Sequence, residues 1–161
     1  MKKLGIVLLA LLLLSGCGKQ TVFEKVEDLL EEPYVEARRV SARLPKDAAV
    51  PVSGQDGGAL YVCDGYSVTI QTLEGGDLDQ TLRTVTGFPR EKLQLLEQTQ
   101  GEVKRYDCAW SCAGEGGDLV CQGVVLDDGC YHYVLTVMME AGRAKEVRQE
   151  VNALCASFQA A

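Results

Sequence analysis

The chain has 161 residues, of which 16 are Lys or Arg and 23 are Asp or Glu, for a net charge of −7. That length suits one domain. The acidic balance repels phosphate backbones and anionic headgroups, which argues against a nucleic-acid partner. Seven cysteines accompany a single histidine, so cysteine usage is the main chemical question.

The chain opens MKKLGIVLLALLLLSGCGKQ. Lys2 and Lys3 form a short positive region, Leu4 to Leu14 is an apolar run, and small residues lead to Cys17. This order is that of a secretory signal, and the apolar run is short for a membrane-spanning helix. The stretch Leu14-Ser15-Gly16-Cys17 resembles the lipobox of bacterial lipoproteins. That resemblance implies diacylglycerol on the Cys17 thiol and cleavage after Gly16. The plainer alternative is an ordinary signal peptide with a chance cysteine. Two or more acyl chains on one residue anchor stably where one would be marginal. Gly18 stands where an aspartate commonly means inner-membrane retention in Gram-negative lipoproteins, so the type of envelope stays open. The expected organisation is a signal over 1–16, a lipidated N-terminus with a short helix over 17–32, and one α+β domain over 33–161.

From Thr21 to Glu32, Val22, Val26, Leu29 and Leu30 fall on one side of an amphipathic helix that Pro33 ends. "VEARRVSARLP" alternates and predicts a strand, and residues 46–58 read as a loop rich in Pro, Gly and Ser. "ALYVCDGYSVTIQTL" predicts a hairpin about Asp64-Gly65. "GGDLDQTLRTVTG" predicts a helix capped by Asp77, with Gln80 able to complete a capping box and Gly87 as terminator. Four strands follow, separated by Gln100-Gly101, a glycine-rich turn and Asp128-Gly129. The last segment, "AKEVRQEVNALCASF", predicts a helix burying Val147, Val151, Leu154 and Phe158, with Cys155 at the edge of that face. Short turns make the sheet mostly antiparallel. The near-continuous apolarity of Tyr133 to Met138 marks a central strand covered on both faces.

This order of elements, with "TGFP", "YHY" and a terminal "SF", resembles the PsbP-like group over roughly Val40 to Phe158. That group includes the extrinsic photosystem proteins and bacterial LpqN-type lipoproteins. The resemblance implies an α+β fold, an α/β/α sandwich about an antiparallel sheet of five to six strands. It carries no functional residue onto this chain.

With Cys17 lipidated, Cys63, Cys108, Cys112, Cys121, Cys130 and Cys155 remain, an even number in an exported protein, which favours disulfides. On a strand, Cys108 and Cys112 of "CAWSC" stand about 13 Å apart on the face of Trp110 and cannot bond each other. The following turn brings Cys121 alongside. If Ala113 pairs with Val120, Cys112 lies directly opposite Cys121; a tighter turn makes the pair diagonal and brings Cys108 equally close. Cys112–Cys121 is therefore the expected disulfide in an oxidising compartment. Cys63–Cys130, each beside an Asp-Gly turn, is a second pair, and Cys108–Cys155 is the remainder. The rivals are a Cys108–Cys121 bond and reduced thiols serving as small apolar core residues.

Other chemistry lacks its residues. Zinc wants four ligands at Cys/His spacing, and no CxxC occurs. A thioredoxin-type site wants a cysteine at a helix start. His132, between Tyr131 and Tyr133 on a strand, reads as a packed or surface histidine, and no nucleophile-elbow motif accompanies it. The glycine runs lack the lysine of a phosphate loop. Glu115 and Asp118 make at best a weak calcium pair, and the "EEP" and "DD" acids read as solvated charge. The expected function is a non-catalytic, lipid-anchored accessory or interaction domain on the extracytoplasmic face of the cell membrane. It would have an envelope protein partner, no cofactor, no metal and no nucleic acid. The alternative is an envelope thiol–disulfide or other enzyme acting through Cys108, Cys112 or Cys121.

Overall fold

The computed structural model describes residues 35–46, 48–49, 51–53 and 58–161. Cys17, the apolar leader and the helix expected over 21–32 lie outside the described residues. Strand β1 (Val40–Ser41) is followed by β2 (Val52–Ser53), β3 (Ala59–Cys63) and β4 (Tyr66–Glu74). Helix α1 (Leu78–Thr86) leads through a 3-10 turn at Arg90–Lys92 to β5 (Gln94–Gln100), β6 (Val103–Gly114), β7 (Gly117–Asp127) and β8 (Tyr131–Glu140). Helix α2 (Ala144–Ser157) and a two-residue strand β9 (Gln159–Ala160) close the chain.

The main sheet is antiparallel, in the order β2-β3-β4-β8-β7-β6-β5. Six of its strands have five residues or more, and the outermost, β2, has two. The meander β5 to β8 appears as its turn residues dictate, with Gly101 and Gly129 at positive φ. Strand β8 lies at the centre, and its residues from His132 to Val137 are all buried. Alternation then divides the core in two. One face buries Val124, Leu126, Tyr133, Leu135 and Val137 with Val147, Val151, Leu154 and Phe158 of α2. The other buries Tyr106, Cys108, Val125 and Val134 beneath Leu82 of α1. With a helix on each face, the architecture is the expected α+β sandwich.

Helix α1 carries the predicted ends. The Asp77 side chain accepts from the Asp79 N–H, and Gly87, at φ 77°, directs its N–H to the Arg83 carbonyl. The Asp77 cap reaches the second helical residue, so the reciprocal box through Gln80 is not what closes this end.

The stretch 35–45 departs from expectation. Only Val40 and Ser41 form a strand, paired with Gln159 and Ala160 of β9. The apolar alternation is real, since Ala37, Val40, Ala42 and Leu44 pack on the α2-side core. The segment crosses side chains instead of lying along a sheet edge. Its amides therefore bond to side-chain oxygens: Arg38 N–H to the Tyr133 hydroxyl at 2.8 Å and Arg43 N–H to Ser157 Oγ at 2.8 Å. The loop of 46–58 likewise contains β2, held against β3.

Asp128 corrects a second expectation. Far from a solvated charge, its side chain is 4% exposed. Its Oδ1 accepts from the Tyr131 and Cys130 amides, and its Oδ2 from the Tyr133 hydroxyl, with Arg38 Nε at 3.3 Å. One carboxylate so joins the β7–β8 turn, the central strand and the segment that leads into the domain. Burial raises this carboxyl's pKa, but the Tyr131 amide, the Tyr133 hydroxyl, the Cys130 amide and Arg38 outweigh it and hold it below the ordinary carboxylate range. A carboxyl that titrates lower folded than unfolded contributes fully above its unfolded value, and that contribution is lost as pH falls through the folded one. Asp128→Asn is expected to cost about 1–3 kcal/mol near neutrality. The gap to wild type should narrow as the pH falls below about 4, read by urea denaturation across a pH series.

Candidate functional site

On the α2 side, the helix covers the middle of the sheet and leaves β5 and β6 open. A groove of about 710 Å³ lies there, floored by β5, β6 and β7 and walled by Asn152, Cys155 and Ala156 of α2. Strand register lays its floor out in rows. Gln94 pairs with Ala109 and Ala109 with Gln122; Leu96 pairs with Asp107 and Asp107 with Val124. Gln98 pairs with Arg105, which pairs with Leu126. The volume falls within the range of small-ligand sites.

The centre of the groove is an ion pair that the sequence reading missed. Arg105 Nε donates to Asp107 Oδ2 at 2.8 Å and its Nη2 to Oδ1 at 2.7 Å, a two-point clamp. The same guanidinium reaches the end of α2, with Nη1 to the Phe158 carbonyl at 3.2 Å and Nη2 to the Cys155 carbonyl at 2.9 Å. Helix α2 has no basic residue in its last turn. Arg105 on β6 supplies that charge, a donor to the Phe158 carbonyl and a second donor to the Cys155 carbonyl, which also accepts from the Phe158 N–H. The side chain of Arg105 is 8% exposed and that of Asp107 31%. A signal was present in the sequence, for Arg105 and Asp107 stand two apart on the face of β6 opposite Tyr106 and Cys108. A charged pair on one face of a long inner strand marks buried ionic structure.

Cys108, Cys112, Cys121, Cys130 and Cys155 are free thiols among the described residues. The β6–β7 turn is the tighter one, with Gly114 paired to Gly117 and Ala113 to Asp118. Cys121 is therefore directly opposite Trp110, Cys112 is opposite Leu119, and Cys112 and Cys121 are diagonal with Sγ atoms 3.8 Å apart. Cys108 is opposite Gly123, and its Sγ lies 2.9 Å from where a side chain at Gly123 would begin. That glycine gives the thiol its room. Cys63 and Cys130 cannot pair in this register. Cys63 is near Tyr66, opposite Met139, while Cys130 adjoins Tyr131, opposite Glu74. Eight strand residues, about 26 Å, separate those ends. Cys108 faces the α1-side core, whereas Cys155 belongs to the α2-side core, so the remainder pair is divided by the sheet.

Burial pushes the Cys108 thiol up to about 12, with the Asp107 carboxylate adding to the shift. Burial likewise raises Cys121 to about 12, followed by its contact with Cys112, and raises Cys155 to about 11, followed by Asp107. At neutral pH a thiol of pKa 12 is ionised about once in 10⁵, the reverse of an activated nucleophile.

His132 is fully buried under α1. Thr81 Oγ1 stands 2.7 Å from its Nδ1, so the histidine ties the helix to the central strand. Its Nε2 has no hydrogen-bond partner among the described residues, and the nearest carboxylate oxygen, on Asp127, is 3.7 Å away. This is a packed histidine, remote from the groove.

No protein-family model matches this chain, and no curated protein matches it. Solved structures do. PsbP of Synechocystis sp. PCC 6803 (CyanoP) is similar at TM-score 0.55 and 8% identity, over 81% of this chain and 96% of that one. LpqN of Mycobacterium tuberculosis, involved in cell envelope biogenesis, is similar at TM-score 0.50 and 13% identity, over 80% and 87%. A Bacteroides thetaiotaomicron VPI-5482 protein is similar at TM-score 0.52 and 15% identity over 76% of this chain. The match spans 45% of that longer chain. At these identities the likeness is one of fold, and the fold is the PsbP-like sandwich.

The clamp makes a direct prediction. Arg105→Met leaves the Phe158 carbonyl and the Asp107 carboxylate without this donor and the Cys155 carbonyl with the Phe158 N–H alone, and should cost about 3–5 kcal/mol, as breaking a buried pair does. Asp107→Asn keeps the bonds from Arg105 to the helix end and should cost less. Urea denaturation ranks the two variants, and amide exchange in the last turn of α2 should rise more in Arg105→Met.

Proposed function

We propose that the protein is a non-catalytic accessory or interaction domain at the bacterial cell envelope, tethered through lipid on Cys17 to the extracytoplasmic face of the membrane. The observation that carries the non-catalytic part is the state of the groove. Its one charged pair, Arg105 with Asp107, is mutually satisfied and committed to holding α2. Such a surface suits binding better than proton transfer or nucleophilic attack. The PsbP-like fold is compatible with an envelope role, and LpqN is a neighbour involved in cell envelope biogenesis. The tether rests on Leu14-Ser15-Gly16-Cys17. No helix among the described residues is long and apolar enough to cross a membrane. Cys17→Ser is expected to move the protein from the detergent phase to the aqueous phase in a partition assay, with its circular dichroism unchanged. Retention in the detergent phase would refute the anchor.

A second reading, thiol chemistry, is favoured by one contact, the 3.8 Å approach of Cys112 and Cys121. The form of it that the geometry supports is structural. In an oxidising compartment these two close into a cross-strand disulfide, in preference to Cys108 with Cys121. Diagonal positions are farther apart than opposed ones, so closure requires a small shift of the strands and stabilises less than the roughly 2–3 kcal/mol expected of a short loop. Peptide mapping of unreduced protein should give a fragment joining Cys112 to Cys121. A Cys108 linkage, or a single readily alkylated thiol of low pKa, would overturn this arrangement.

A further inference from the structure

The two edges of the main sheet are guarded differently. At one edge stands β2, two residues long, too short to template another strand. At the other stands β5, seven residues from Gln94 to Gln100, paired residue for residue with β6 and without a bulge. It contains no proline and no lysine, and Glu97 is its one charge. Among the described residues no strand pairs with its outer side, which offers alternate N–H and C=O groups to an incoming strand; natural sheets usually block such edges with short strands, bulges, proline or lysine. None of these devices is present on β5. The groove runs directly beside it. Leu96, 57% exposed, projects there between Gln94 and Gln98, which also line it.

We propose that the β5 edge and this groove together bind an extended segment of a partner protein, which adds to the sheet as an eighth strand. This rests on the interaction-domain reading and names the chemistry of its partner. Main-chain hydrogen bonds to β5 supply the pairing, and alternate side chains supply the selectivity. On the groove side the partner presents small apolar or amide side chains, since Arg105 and Asp107 neutralise each other and Leu96 and the glutamines remain to be met. On the opposite side Arg90 stands 3.3 Å from Asp79 and 3.8 Å from Glu97, yet with Glu91 the neighbouring hollow is lined by three carboxylates and this one cation. A lysine or arginine of the partner facing Glu97 shares that carboxylate with Arg90 and offsets the remaining acidity of this side. A second copy of this chain is the poorer occupant. The antiparallel pairing that keeps all of β5 matched sets Glu97 directly against its own copy, like charge on like charge.

The test uses the full chain in detergent micelles and a pool of end-capped peptides about nine residues long, with Thr, Val or Gln at alternate positions and Lys or Arg between them. The best binder is then remade with N-methyl groups on alternate amides in each of the two registers. Amide exchange at the outward-facing groups of β5 is expected to slow by about tenfold or more with the parent peptide. One N-methylated register should abolish this, and the other should not. Leu96→Ser and Glu97→Gln, both at exposed positions, should each weaken binding by about threefold or more. The proposal is overturned if no peptide in the pool binds, if both N-methylated registers bind like the parent, or if protection maps to another surface. It is overturned equally if β5 becomes protected without peptide as protein concentration rises, which would assign the edge to self-association. A membrane partner crosslinked away from β5 would end this inference and leave the envelope reading standing. Peptide binding by a protein that proves soluble in cells would do the reverse.

Discussion

Arg105 brings to the end of α2 a positive charge that the last turn of the helix does not carry. The helix ends without a basic side chain in its last turn; the Phe158 N–H bonds to the Cys155 carbonyl and Ser157 Oγ to the Leu154 carbonyl, and an arginine on β6 adds bonds to the Cys155 and Phe158 carbonyls. Asp107 holds that guanidinium in place with two hydrogen bonds, which fixes the direction in which its other N–H groups point toward the helix end. The position of α2 in turn determines where the groove lies, because the wall is the helix and the floor is what it leaves bare. Arg105 and Asp107 also account for the electrostatic character of the groove, a neutral floor made from two charges that satisfy each other.

A parallel arrangement operates at the far end of the sheet. Asp128 gathers two turn amides, a tyrosine hydroxyl and an arginine, and so pins the segment 35–41 across the side chains of the central strand. Both devices use a carboxylate, buried in the case of Asp128 and half-buried in that of Asp107, whose partner Arg105 is the buried member, and each carboxylate is held by specific donors. That condition is what makes a charge tolerable in a core otherwise built from Val, Leu and Tyr. The two lie on the same side of the sheet as α2, and the opposite side is joined more lightly, by His132 to Thr81 and by the apolar stripe of α1.

The cysteines show how close a reading can come and still differ. Pairing Ala113 with Val120 places Cys112 and Cys121 face to face, whereas the structure pairs Ala113 with Asp118. A slip of two residues keeps every side chain on its predicted face and changes only its neighbour, because the side-chain period of a strand is two. Trp110 thus becomes the direct partner of Cys121. The glycine-rich stretch 114–117 permits more than one turn length, and Gly117, at φ 134°, takes a conformation that few other residues adopt. Cys63 and Cys130 failed differently. Each does sit beside an Asp-Gly turn, but the turns lie at opposite ends of the paired strands β4 and β8.

Elements whose signals are local were legible from the residues themselves. Asp77 and Gly87 mark the ends of α1, the alternation from Val103 to Glu140 marks a meander with glycines at its turns, and Val147, Val151, Leu154 and Phe158 mark the buried face of α2. The sandwich follows, since each face of an apolar sheet must be covered. What only the tertiary structure decided are the pairings between residues distant in the chain, Arg105 with the end of α2, Asp128 with Arg38 and Trp110 with Cys121, and the outermost place of β5 among the described strands. Periodicity tells which way a side chain points; what it meets there depends on register and strand order, which no single segment contains.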